Sequence, residues 1–170
     1  MRTSEIRIGK LQWALIAAAM IFPQAGRAQN KTCTWLNEAT ASGVIGGAVT
    51  MDVQNTADGG GTCVFRSHNR NAVHTLQIDV LISKDARQEM ISSESKCTSP
   101  AVPIRGVGNE AVSCTANAHS LMGEQIISYV RDQAFVLRIS TTDEHDLLLT
   151  RDYLQLNTRN IAEQVAGSLF

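Results

Sequence analysis

The chain of 170 residues has few aromatic side chains and no cluster of basic residues. Phe, Trp and Tyr make up 5% of it. The chain has 15 Lys and Arg and 16 Asp and Glu, for a formal net charge of −1. Proteins that bind nucleic acid usually present a basic patch to the phosphates and, for single strands, aromatic platforms on which bases stack. Because both features are scarce, we expect no nucleic-acid partner.

The sequence also lacks the short motifs that mark common catalytic and metal centres. It contains no C-x-x-C, no H-E-x-x-H, no EF-hand pattern and no G-x-S-x-G. Its four histidines are scattered along the chain: His68, His74, His119 and His145. We therefore predict no catalytic residue, no metal site and no cofactor.

The longest apolar run, residues 11–22, stands near the N-terminus. Basic residues precede it, and small residues at positions 26 and 28 precede Gln29. These are the parts of a secretory signal peptide, and the run is shorter than the roughly 20 residues of a membrane-spanning helix. We predict a signal peptide over residues 1–28 and one secreted or periplasmic domain over residues 29–170, with no membrane span after cleavage. An uncleaved N-terminal anchor is the alternative.

Four cysteines lie in the part of the chain that we expect to be exported: Cys33, Cys63, Cys97 and Cys114. An even number in an oxidising compartment predicts two disulfides, and four cysteines allow three pairings. We favour Cys33–Cys63 and Cys97–Cys114, because each pair is adjacent in sequence and flanks a short unit that can fold back. A catalytic or metal-bound thiolate is the alternative, but no closely spaced Cys/His pair favours it.

Apolar periodicity divides the domain into helices and strands. The clearest strand places Leu76, Ile78 and Val80 on one face, and the tail from about Thr150 carries an apolar stripe at helical spacing. We place Thr34 at the N-cap of the first helix, and Ser83 or Asp85 near the start of the second. In chain order, the predicted elements are a helix at 35–45, strands at 48–53, 63–66 and 72–82, a helix at 83–95, strands at 110–116, 124–130 and 135–141, and a helix from about 150.

This order, α-β-β-β-α-β-β-β-α, predicts the α+β class. We expect a single antiparallel sheet of about six strands, flanked by helices and held by two disulfides. The two blocks of three strands hint at an internal duplication, although no residue-level repeat supports it. Residues 96–108 contain two prolines and two glycines, and we predict that they are irregular.

Two glycine-rich segments have the spacing of phosphate loops without their context. Residues 106–111, GVGNEA, fit G-x-G-x-x-A, but Pro103 precedes them and a strand pattern follows, where that motif needs a strand before it and a helix after it. Residues 57–62, ADGGGT, are not followed by the lysine of a P-loop. We interpret both segments as loops.

Residues 141–146, TTDEHD, form an acidic patch that includes His145. Asp143, Glu144 and Asp146 are cation ligands by type, but their spacing is not that of a calcium loop. We interpret the segment as a solvated loop that leads into the last helix.

The second predicted hairpin carries the remaining candidates. Arg131 and Arg138 can interact across the turn and, with Tyr129, form the wall of a binding cleft, although a solvent-facing sheet surface is the simpler interpretation. We interpret Glu124 and Asp132 as surface charges.

Several of these segments resemble a large family of bacterial secreted proteins and lipoproteins, best represented in actinobacteria. The resemblance rests on the segments CTWLNEATASGVIGG, GGGTCVF and VPIRGVGNEAV and on the C-terminal helix, and the matching positions are Cys33, Cys63, Gly46, Gly47, Gly106, Gly108, Glu110 and Ala111. It implies an antiparallel sheet flanked by helices, similar to the extracellular sensor domain of a mycobacterial Ser/Thr kinase, and it implies no activity. The chain departs from the family in lacking the lipid-anchoring cysteine.

We therefore expect an exported, non-enzymatic module that binds a small ligand or a protein partner at the cell envelope. The alternative is a secreted inhibitor or immunity-like protein that blocks a hydrolase through a projecting loop at residues 99–108. A hydrolytic enzyme and a purely structural protein are further alternatives. A pocket with converging polar groups favours the first hypothesis, and a protruding loop tethered by a disulfide favours the second.

Overall fold

The computed structural model describes residues 32–116 and 122–170, so the predicted leader and its cleavage site lie outside the described residues. Three helices and seven strands lie within these ranges. They are α1 (Glu38–Ile45), β1 (Thr50–Asn55), β2 (Gly61–Asn69), β3 (Ala72–Ile82), α2 (Ala86–Glu94), β4 (Val102–Ile104), β5 (Glu110–Thr115), β6 (Met122–Val130), β7 (Gln133–Thr141) and α3 (Arg151–Ser168). The predicted α+β class is confirmed.

The seven strands form one antiparallel sheet in the order β1-β2-β3-β7-β6-β5-β4. β3 and β7 pair at its centre, where Ile78 lies opposite Leu137. β1 and β2 lie on the β3 side of this pair, and β4, β5 and β6 lie on the β7 side. The two predicted blocks of strands are therefore the two halves of one sheet.

One face of the sheet carries the main core, which α1 and α3 cover. Ile126, Leu137 and Ile78 lie on three adjacent strands, are at most 1% exposed, and cluster with Ile45 of α1 and Val165 of α3. Burial of such side chains stabilises a fold by roughly 1.5–3 kcal/mol each.

The opposite face is polar at its centre and apolar under α2. Gln77, Arg138 and Gln125 form a row across β3, β7 and β6 on this face. Met90 of α2 packs near Ile127 in a smaller apolar cluster. Because a helix of nine residues covers only part of a seven-stranded sheet, it leaves a cleft beside it.

Side chains cap the start of each helix. Asn37, Asp85 and Thr150 accept backbone N–H groups at the N-caps of α1, α2 and α3, as short polar side chains commonly do. The prediction of Thr34 as the first cap is wrong, because Trp35 enters the core, 5% exposed, from a non-helical segment and the helix begins only after it. Within the described ranges, no helix has the length and hydropathy needed to cross a membrane.

The segment predicted to be irregular contains a seventh strand. Val102–Ile104 pair with β5 at the edge of the sheet, with Val102 opposite Ser113. The pattern missed it because the strand has three residues and includes Pro103, and proline is tolerated in a sheet mainly at an edge. Val107, just beyond it, is buried in the main core.

Two disulfides join the cysteines that the sequence analysis pairs. Cys33, ahead of α1, is bonded to Cys63 on β2, and Cys97, after α2, is bonded to Cys114 on β5. The linked residues are 30 and 17 positions apart, and loop-closure entropy assigns about 3–4 kcal/mol to each bond. Two such bonds are typical of proteins outside the reducing cytoplasm.

Candidate functional site

A cleft of about 430 Å³ lies between α2, the β1–β2 turn and the middle strands of the polar sheet face. We call it the α2 cleft. Glu89 and Ser93 line it from α2, and Thr56 and Asp58 line it from the turn. Its volume falls within the range of sites that bind small molecules.

One end of the α2 cleft has an apolar floor. Leu81, Ala134, Val136 and Ile127 lie there on β3, β7 and β6. Leu81 is 48% exposed, so a large apolar side chain of the floor faces the open space. This end can receive an apolar group of a ligand.

Arg138 lies on the polar part of the floor, where Gln125 holds it. Its Nε and Nη2 atoms donate to Oε1 of Gln125 at 3.3 and 3.1 Å. The Nε2 atom of Gln125 donates to Sγ of Cys114 at 3.1 Å. Because both ends of the amide are engaged, Gln125 orients the guanidinium and connects it to the Cys97–Cys114 disulfide.

Asp79 lies on the same floor and is also half-buried. It accepts hydrogen bonds from Oγ1 of Thr62 at 2.8 Å and from Nε2 of Gln77 at 2.8 and 3.0 Å. Among residues 32–116 and 122–170, no charged partner lies within 4.0 Å of Asp79 or of Arg138. The cleft thus holds a carboxylate and a guanidinium that lack ionic partners in the described structure.

The β1–β2 turn that borders the cleft is ordered by Asp58. Oγ1 of Thr56 donates to this carboxylate at 2.5 Å and the backbone N–H of Gly60 donates at 3.2 Å, and these hydrogen bonds lower the pKa of Asp58. Gly61 has a φ of 148°, and a Cβ there would collide with the carbonyl of Gln54. The predicted loop therefore ends at Gly60, because Gly61 and Thr62 already belong to β2, and the turn contributes an ionised carboxylate to the cleft.

A second polar cluster is buried at the other end of the sheet, around His74 and Asp146. The ring of His74 is fully buried, with Nε2 at 2.6 Å from Oδ2 of Asp146 and Nδ1 at 2.5 Å from the carbonyl oxygen of Ile45. Oγ1 of Thr141 donates to the same carboxylate oxygen, at 2.8 Å. The interpretation of residues 141–146 as a solvated loop is wrong for Asp146, because its side chain is buried against His74 and Thr141.

Asp146 is ionised in this cluster. Burial raises its pKa, but hydrogen bonds from the Leu149 backbone, the Thr141 hydroxyl, the Leu148 backbone and His74 outweigh burial and lower the pKa to about 2. Both ring nitrogens of His74 are engaged by oxygen atoms of the protein, and the residue has no exposed surface. In this geometry the ring cannot reach a substrate to act as a general base.

The other histidines form no ligand set. His68 and His145 are exposed, and His119 lies outside the described residues. In the part of the chain that the structure describes, no group of three or more His, Cys, Asp or Glu side chains is placed to hold a metal ion.

Glu124 is not a plain surface charge. It is half-buried in a second groove, of about 480 Å³, between α3 and the β4–β5 edge, where the hydroxyl of Ser113 donates to it. Burial raises its pKa, opposed by that hydrogen bond and by the charge of Arg151. Asp132 is exposed in the turn at the far end of β6, so the two carboxylates are not brought together.

The two hairpin arginines do not interact across the turn. Arg131 lies in the turn, with its guanidinium 5.7 Å from the centre of the Phe170 ring. Arg138 is the sixth residue of β7 and lines the α2 cleft. Tyr129 packs on the cluster under α2. Of these three residues, only Arg138 belongs to the cleft.

Residues 106–111 form a loop that turns into β5, in agreement with the prediction. Gly108 has a φ of 58°, and a Cβ there would collide with the carbonyl of Tyr129. The hydroxyl of Ser128 donates to the carbonyl of Val107 at 3.2 Å and to that of Glu110 at 2.9 Å. Together with β4, these contacts hold residues 102–110 against the sheet, so this part of the predicted loop does not project.

No family model, curated protein or solved structure matches the chain. The site is therefore defined by its geometry. The sequence analysis named Arg138 but missed Asp79, which stands in the polar alternation of the clearest strand. A polar residue in such a strand is normally solvent-facing, and only the position of α2 and the β1–β2 turn makes it part of a cleft.

Proposed function

We propose that this protein is an exported, non-enzymatic module that binds a small ligand in the α2 cleft. The observation that carries the proposal is the convergence of half-buried polar groups, Arg138 and Asp79, with an apolar floor around Leu81 in one cleft of about 430 Å³. Ligand sites typically combine apolar walls with a few oriented polar groups.

A binding role fits the chemistry of the described residues better than catalysis. Among the described residues, the one histidine buried beside a carboxylate is His74, whose ring nitrogens both contact protein oxygens and which has no exposed surface. The inhibitor alternative needs a rigid projecting loop, and the proposed segment is held along the sheet edge by β4 and by Ser128. Export is supported by the predicted leader and by the two disulfides, and the fold is compatible with the resemblance to the family of secreted proteins.

The proposal is tested by native mass spectrometry of the protein recovered from the extracytoplasmic fraction of its host. We expect the intact mass of a chain that begins near Gln29, together with a small non-covalent adduct that is lost on collisional activation. A bare mass for the wild-type protein contradicts the proposal, and a retained leader contradicts cleavage.

Two variants locate the adduct. Leu81→Trp fills the apolar end of the α2 cleft and should remove the adduct. Ile91→Trp places the same side chain on an exposed position of α2 that does not line the cleft, and it should retain the adduct. If both variants keep the adduct, the ligand binds elsewhere and the assignment to the α2 cleft is wrong.

A further inference from the structure

The floor of the α2 cleft carries two opposite charges that do not neutralise each other. In the register, Arg138 lies opposite Gln77, and Asp79 lies two residues further along β3. Such diagonal neighbours are roughly 7–8 Å apart between their backbones, and their charged groups are not within ion-pair distance here. The space between them can hold a ligand that carries both a negatively and a positively charged group.

Each of the two groups has hydrogen-bonding capacity to spare. A guanidinium has five N–H donors, and Arg138 uses one on Nε and one on Nη2 for Gln125, which leaves two on Nη1 and one on Nη2. A carboxylate has about four acceptor sites, and Asp79 receives one hydroxyl and one amide group. Arg138 is suited to a carboxylate, and Asp79 is suited to an ammonium group.

The charged residues that line the cleft carry both signs, which argues against a ligand with charge of a single sign. The negative side chains are Asp58, Asp79 and Glu89, and the positive ones are Lys96 and Arg138. Three carboxylates repel a pure anion, and an oriented guanidinium on the floor repels a pure cation. Leu81 and its apolar neighbours add room for a hydrocarbon group on the same ligand.

We infer that the α2 cleft binds a small zwitterion with an apolar side chain, a free amino acid or a short peptide, with its carboxylate on Arg138 and its ammonium group on Asp79. This inference rests on the proposed function of the cleft. It adds the class of ligand and the role of each of the two charged residues.

Isothermal titration calorimetry of the mature protein tests it with four probes: L-leucine, the dipeptide Leu-Leu, 4-methylpentanoate and 3-methylbutylamine. The third probe has only the carboxylate and the fourth has only the ammonium group. Because a charge-assisted hydrogen bond contributes enough to change affinity at least about tenfold, we expect L-leucine or Leu-Leu to bind at least about tenfold more tightly than either single-charge probe.

Variants assign the two ends of the ligand. Arg138→Gln should reduce the affinity for the better zwitterion to about that for 3-methylbutylamine. Asp79→Asn should reduce it to about that for 4-methylpentanoate. Arg66→Gln and Asp52→Asn change exposed residues of the same sheet face outside the cleft, and they should leave all affinities unchanged.

Circular dichroism melts show whether each variant is folded. Arg138→Lys keeps the positive charge, and it should therefore recover part of the affinity that Arg138→Gln loses.

The outcomes separate this inference from the proposed function. If 4-methylpentanoate or 3-methylbutylamine binds as tightly as the zwitterions, the ligand class is wrong while the cleft remains a binding site. If no probe binds but the native adduct is lost in Leu81→Trp, the ligand class is likewise wrong. If no probe binds and no adduct depends on Leu81, both the inference and the proposed function are overturned.

Discussion

His74 and Asp146 form a buried hydrogen bond between the start of β3 and the loop ahead of α3, with 2.6 Å between Nε2 and Oδ2. The other ring nitrogen, Nδ1, lies 2.5 Å from the carbonyl oxygen of Ile45 at the end of α1. One side chain on β3 therefore connects two helix-bearing segments that are far apart in sequence. Its contribution is structural, and it sets the first two predictions.

Replacement of Asp146 by Asn should lower the free energy of unfolding by about 3 kcal/mol. The change replaces one of the two acceptor oxygens of Asp146 with an amide NH2 group, so it breaks hydrogen bonds in a buried cluster. Each buried polar group that is left unpaired costs about 1–3 kcal/mol. Urea unfolding at pH 7 measures the loss. Asp143→Asn, three residues earlier and only half-buried, is the matched control and should change stability by less than about 0.5 kcal/mol. Equal stability of the two variants would show that the pair contributes nothing.

The stability difference between wild type and Asp146→Asn should shrink in acid. The pKa of Asp146 is about 2 in the folded protein against an ordinary value of 3.8, so its stabilisation is complete above pH 4 and is lost as the pH falls toward 2. The shift corresponds to about 2 kcal/mol. Urea unfolding of both proteins at pH 5, 4, 3 and 2 gives the difference at each pH. A constant difference across this range contradicts the lowered pKa.

Ile161→Ala in α3 should destabilise the protein by about 2–4 kcal/mol, and Val165→Ala should have a similar but smaller effect. Both side chains are buried in the main core, and their truncation removes apolar burial and leaves a cavity. Gln164→Ala, on the exposed side of the same helix, is the control. Denaturant melts with the disulfides intact compare the three. If all three melt alike, α3 is not packed on the sheet as described.

Thr158→Val should stabilise the protein by about 1 kcal/mol. Oγ1 of Thr158 is buried in α3 without a hydrogen-bond partner, and an unpaired buried hydroxyl costs about that much or more. Thr141→Val makes the same chemical change where the hydroxyl donates to Asp146, and it should destabilise. Thermal melts of the two variants should therefore move in opposite directions. A loss of stability in Thr158→Val would show that its hydroxyl is satisfied.

The amino-acid sequence by itself determined the α+β class and the order of the elements other than β4. It also indicated the start of α2 at Ser83 or Asp85, the start of α3 near Thr150, and the favoured cysteine pairs that the structure joins. These features depend on local physics. Period-two and helical patterns record which side of an element is buried, capping needs only a nearby N–H, and disulfides between sequence neighbours close short loops.

Only the tertiary structure decided which polar residues are buried or share a cleft. Asp146 stands in an acidic segment of the kind that is usually exposed to solvent, yet its side chain is buried against His74, 72 residues away. Arg138 and Asp79 line the same cleft because β7 pairs with β3, although residues 83–132 separate the two strands in sequence, and α2 forms a wall beside them. Such contacts arise from long-range strand pairing, and local periodicity contains no information about which strands become neighbours.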